Sequence, residues 1–140
     1  MTEGNQRDAL PSGWLLLLCL LLILWHPISF ALLASTMLVR LAARGVPLAL
    51  ILLARVVILG CGIAAGLLLL RRRRAGVGLA KITLALTAIV DVVVYSTPYF
   101  PLNLPPGDAP LYAAASVVYS AVWIIYLFRS KRIRRLLSQG

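Results

Sequence analysis

Four long apolar runs, separated by short polar or proline-rich stretches, divide this chain. The first runs from Trp14 to Val39 and is broken only by His26-Pro27, Ser29, Ser35 and Thr36. At about 1.5 Å per residue it is long enough to cross roughly 30 Å of hydrocarbon with a tilt or a bend. Arg40, Arg44, Gly45 and Pro47 mark the first connection, and Val46 to Leu70 forms the second run. The tetrad Arg71-Arg72-Arg73-Arg74 follows, loosened by Gly76 and Gly78 and closed by Lys81, before the third run from Ile82 to Tyr99. The stretch from Pro98 to Pro110 also contains Pro101, Pro105 and Pro106 and no Lys or Arg. It cannot be regular helix or central strand and reads as an extramembrane loop. Leu111 to Phe128 is the fourth run.

This pattern predicts an all-α membrane bundle of four transmembrane helices in a single domain, residues 1–140. The spans fall at about 14–39, 46–70, 82–99 and 111–128, with a basic tail over 129–140. Pro27 removes a backbone donor and disfavours helical geometry at His26, so the first helix is expected to kink or break near mid-membrane. The polar stretch from Met1 to Gly13 reads as a short tail, and no domain is expected before the membrane.

Inside the spans the few polar residues follow helical spacing. Arg55, Leu59, Gly62 and Gly66 recur at i, i+4, i+7 and i+11, which puts the small pair Gly62/Gly66 on the arginine's face and predicts a helix-packing surface. Thr87, Asp91 and Tyr95 repeat every four residues, a polar stripe on an apolar helix. Counted from Arg73, Arg55 and Asp91 are equidistant, since 73 − 55 = 18 and 91 − 73 = 18. If the tetrad is the turn of a helical hairpin, the two lone charges lie at matching depth. On the fourth span, Tyr112, Ser116, Tyr119, Ser120 and Trp123 fall largely on one side.

Composition strengthens the membrane reading. The chain is 61% hydrophobic with a mean hydropathy of +0.96 over 140 residues, more apolar than soluble domains and too short to bury that surface in its own core. The net charge of +10 would point to nucleic acid in a soluble protein, but the cations cluster at the ends of apolar runs. That is a topological signal. With both termini cytoplasmic, Arg7, the tetrad, Lys81, Arg129, Lys131, Arg132, Arg134 and Arg135 lie inside and only Arg40 and Arg44 outside. The same cations are expected to meet anionic lipid head groups, and no nucleic-acid partner is expected. Arg129 to Arg135, with Ile133, Leu136 and Leu137 interleaved, is expected to lie on the membrane surface. Cys19 and Cys61 sit at different depths and read as unpaired thiols. A cleaved signal peptide is not expected, because no A-x-A site follows Trp25 and the apolar run continues.

The stretch Gly13-Trp14-Leu15 leading into an apolar run to Pro27, the four-span layout, an aspartate late in the third span and the exit Trp123-Ile124-Ile125-Tyr126-Leu127-Phe128-Arg129-Ser130-Lys131-Arg132 resemble the bacterial inner-membrane proteins of the domain of unknown function 2569 family. The likeness covers nearly the whole chain. It implies a four-helix protein of the bacterial inner membrane and brings no activity, cofactor or catalytic residues. Arg55 and the arginine tetrad carry no role from it.

Candidate chemistry is sparse. An ionised side chain at the bilayer centre costs about 2.5 kcal/mol to well over 10, so opposite charges at matching depth invite pairing. One reading makes Arg55 and Asp91 a structural ion pair joining spans two and three. The other makes them a proton, ion or anion site, with Asp91 titrating. A third lets Arg55 snorkel to the boundary. His26 reads as a neutral imidazole donating to a carbonyl freed beside Pro27, or as a relay partner of Asp91. Tyr95, Ser116, Tyr119 and Ser120, alongside Thr87, either bond between helices or line a polar cavity open to the outer side. No H-E-x-x-H, G-x-S-x-G, redox cysteine pair or phosphate loop is present, and no metal or other cofactor is expected. The leading expectation is a non-enzymatic bundle or interaction subunit, as an oligomer or beside a membrane-protein partner. The alternative is a small transporter or channel using Arg55, Asp91 and His26.

Overall fold

The computed structural model describes residues 13–98, 100 and 105–138. The tail containing Arg7, Tyr99, residues 101–104 and 139–140, and the side chains of Arg44, Arg132, Leu136 and Leu137, lie outside the described residues. All the regular structure described is helical: α1 (Gly13–Leu20), a π-helical turn (Leu21–Trp25), α2 (His26–Arg44), α3 (Val46–Leu70), α4 (Arg74–Ser96), α5 (Ala109–Arg129) and α6 (Lys131–Ser138). Four helices are long and apolar enough to cross a membrane, the first being α1, the π-turn and α2 in one piece. Only 17% to 28% of the most apolar window of each is buried inside the protein, which leaves most of its surface for lipid. The chain is a multi-pass membrane protein with an all-α four-helix bundle.

The irregularity expected at Pro27 takes the form of the π-turn just ahead of it. There the His26 N–H reaches back five residues to the Leu21 carbonyl. A π-turn lodges an extra residue in the helix, so the chain meets a proline that cannot donate without ending the helix. The first span accordingly runs on to Arg44, further than Val39. Gly45 closes it at φ +67°, a conformation suited to glycine, and donates its N–H to Leu41 O at 3.0 Å. Pro47 then sits in the first turn of α3.

The arginine tetrad turns the chain between α3 and α4 as expected, but α4 starts at Arg74 and not at Ile82. Gly76 and Gly78 are helical. A Cβ at Gly76 would come within 2.7 Å of Leu69 N and 2.9 Å of Leu68 C, whereas one at Gly78 would meet nothing within 4 Å. Gly76 therefore permits a tight hairpin, and the helix can begin immediately after the turn. At its other end α4 stops at Ser96, because Thr97 turns extended ahead of Pro98.

Neighbouring spans in the chain pack side by side, α3 on α4 and α4 on α5, with the first span on α3. Towards the tetrad end an apolar core including Leu18, Leu22, Leu69, Leu84 and Trp123 joins all four spans, and Ile133 of α6 is 1% exposed within it. The rings of Trp14 and Trp123, 6.4 Å apart, tie the start of the first span to α5. Near the other end a smaller core of Met37, Leu48 and Val94 joins only the first three spans.

Candidate functional site

Arg55 and Asp91 meet. Arg55 Nη2 donates to Asp91 Oδ1, and Ser116 Oγ donates to Asp91 Oδ2. One carboxylate on α4 thus ties α3 to α5. The two charged side chains are 17% and 13% exposed. In so little solvent each charge would be costly alone, and the pair removes the net charge while the serine satisfies the second oxygen. Thr87 lies one turn from Asp91 but gives its hydroxyl to Thr83 O at 2.8 Å, as Thr83 gives its own to Leu79 O. These threonines satisfy themselves along their helix, leaving the carboxylate to Arg55 and Ser116.

A cavity of about 770 Å³ opens beside this link. Its walls come from all four spans. The first contributes Trp25, His26, Ser29 and Thr36, while Thr87, Asp91 and Tyr95 of α4 line it as one stripe. On α5 Tyr112, Ala115, Ser116 and Tyr119 complete it, and Tyr95 and Tyr112 bring their rings to 6.1 Å. Apolar side chains make up most of the remaining lining, Ile58 and Leu59 of α3 among them.

His26 neither donates to a carbonyl beside Pro27 nor bonds Asp91. Both ring nitrogens lack a partner, and Cδ2 lies 3.6 Å from the position a Cβ on Gly62 would take. The π-turn explains the first outcome, since the backbone handles its own carbonyls and leaves the imidazole turned towards α3. Tyr119 OH is likewise without a partner, its ring standing edge-on to Trp123 at 6.5 Å. Ser120 belongs elsewhere: it is 1% exposed, lies outside the cavity lining and has an unpartnered Oγ. One residue past Tyr119, it has rotated away from the cavity.

Gly62 and Gly66 form the close contact with the first span. A Cβ on Gly66 would lie 2.7 Å from Ile23 Cγ1 and 3.4 Å from Cys19 O, and both glycines are buried. Arg71 to Arg74 are all exposed, as are Arg129, Lys131, Arg134 and Arg135. Lys81 sets its Nζ over the Phe128 ring at 3.6 Å, fastening α4 to α5 at the basic end. Cys19 and Cys61 are free thiols, and no group of metal-ligating side chains occurs among the described residues.

Trp25, Ser29, Thr36, Tyr112 and Ala115 had not been singled out as cavity residues. The signal was there in part: His26, Ser29 and Thr36 keep to one face of the first span, at i, i+3 and i+10. Ala115 carries no polarity to reveal it.

No family model matches the chain, nor does any curated protein or solved structure. The resemblance to the domain of unknown function 2569 family therefore rests on its motifs alone.

Proposed function

We propose that this chain is a non-enzymatic binding bundle of a bacterial inner membrane, with both termini cytoplasmic, which receives a small membrane-soluble molecule in its cavity. The single observation that carries the reading is the cavity itself, about 770 Å³ reaching an ion pair whose charges already balance. That volume is in the range of sites for small organic ligands, and mostly apolar walls with a few polar groups are their usual make-up. The basic turn and tail supply the orientation and a belt for anionic head groups.

Transport is the second reading, supported by the presence of Arg55, Asp91 and His26 in the cavity lining. The core of Leu18, Leu22, Leu69 and Trp123 packs across the bundle below that lining, so passage would require this layer to part. Native mass spectrometry of the full chain released from mild detergent tests the binding reading. It predicts a co-purifying small molecule that is lost when Ala115→Phe fills the cavity. A bare mass for the wild-type chain overturns binding. An Asp91-dependent proton or solute flux in reconstituted vesicles establishes transport in its place.

A further inference from the structure

The cavity opens sideways between the first span and α5. These helices meet at Trp14 and Trp123, but α2 and α5 are not among the closely packed pairs. The lining residues Trp25, Ile28 and Leu32 on one side and Tyr112 on the other are 44% to 68% exposed, and they sit on membrane-spanning helices. Access is therefore from hydrocarbon. Whatever enters must have an apolar body.

The polar wall restricts the other end of such a molecule. Arg55 and Asp91 cancel, so the wall favours an uncharged group. Each oxygen of Asp91 already accepts a bond, one from Arg55 and one from Ser116. The guanidinium has donors to spare: it has five N–H groups, yet Arg55 makes its one described bond through Nη2 and its Nε has no partner. Tyr119 OH and the His26 imidazole also lack partners. These atoms and Arg55 Nε alike are enclosed in the wall, so reaching an occupant takes a torsional turn of the side chain. Arg55 alone among these groups can only donate, and the group complementary to it is an uncharged hydrogen-bond acceptor.

Depth narrows the choice. Arg55 lies nine positions into α3 from Val46, about 14 Å along the axis at 1.5 Å per residue. The ester carbonyls of a phospholipid belong at the boundary, not at that depth. A flat ring bearing carbonyls can sit there, among the rings of Trp25, Tyr95, Tyr112 and Tyr119. We infer that the cavity binds a carbonyl-bearing ring on an apolar tail, the chemistry of a membrane quinone, with its carbonyl facing Arg55. This rests on the binding-bundle reading and gives its occupant a chemical class.

The test uses the full chain in lipid nanodiscs, titrated with a decyl-tailed benzoquinone while tryptophan fluorescence is followed. Quenching should saturate, and Trp25→Phe should remove most of it although Trp14 and Trp123 remain. Ala115→Phe and Ser29→Phe, each checked for native helicity, should weaken apparent affinity by about tenfold or more, equivalent to one decade in Kd. Linear quenching, equal in wild type and both variants, means partition into lipid only and overturns the quinone assignment. A parallel titration uses phosphatidylcholine brominated on its acyl chains. If its quenching of Trp25 falls in Ala115→Phe while the quinone fails to compete, an acyl chain occupies the cavity; the ring assignment is then wrong and the binding reading survives. If neither probe responds to either cavity-filling variant, both are wrong.

Discussion

Asp91 accepts a bond on each oxygen in a place where an uncompensated carboxylate is expensive. Its pairing with Arg55 was legible as equal distance from the tetrad, because helical rise turns residue count into depth. Ser116 was legible only as a member of a polar face; which carboxylate oxygen it would reach depends on the rotation of α5, which spacing within one helix does not give. His26 shows a similar limit, since its setting depends on a π-turn that no propensity marks. Arg72 presents a different residue-scale feature. It adopts φ +54° in a helix-terminating turn where Arg73 N–H bonds Leu68 O and Arg72 N–H bonds Leu69 O, the place where glycine is usual. A left-handed L-residue costs roughly 1 kcal/mol. Arg72→Gly is expected to raise the melting temperature by a few degrees and to weaken retention on anionic vesicles, read by thermal melts and by flotation.

At the scale of elements, the spans were legible from hydropathy and their ends were not. α4 begins at Arg74 because Gly76 lets it pack hard against the end of α3, and reading both glycines as loop hid its first two turns. Gly76→Ala should therefore cost about 1–3 kcal/mol, the range for forcing an extra methyl into a packed site. Gly78→Ala, in open space, should be neutral or slightly stabilising. Equal melting temperatures for the two variants would contradict the hairpin packing. The contact between α3 and the π-turn follows the same physics: with lipid as apolar as leucine, spans associate through close fit, and small residues supply it. Gly66→Ala should lower stability by pressing on Ile23. Adding Ile23→Ala should recover much of the loss, whereas additive destabilisation in the pair would place the two helices apart.

On the scale of the whole molecule, α3, α4 and α5 share one carboxylate, while the first span packs on α3 through both cores and meets α5 at the basic end. That asymmetry creates the cavity, and no single-helix pattern contains it. The orientation proposed from the separation of cations has a direct test: a Pro106→Cys chain, with Cys19 and Cys61 replaced by alanine, should react with an impermeant maleimide added outside intact spheroplasts. Reaction only after lysis would invert the topology.

The account turns on the link at Asp91, and a double-mutant cycle on Arg55 and Asp91, followed by thermal unfolding in detergent, addresses it most directly. Asp91→Asn strands the guanidinium and should cost about 3 kcal/mol, the usual loss on breaking a buried pair from one side. Arg55→Gln in the same chain should restore most of that stability. A normally stable Asp91→Asn protein, or a double variant as unstable as the sum of its singles, would contradict the link.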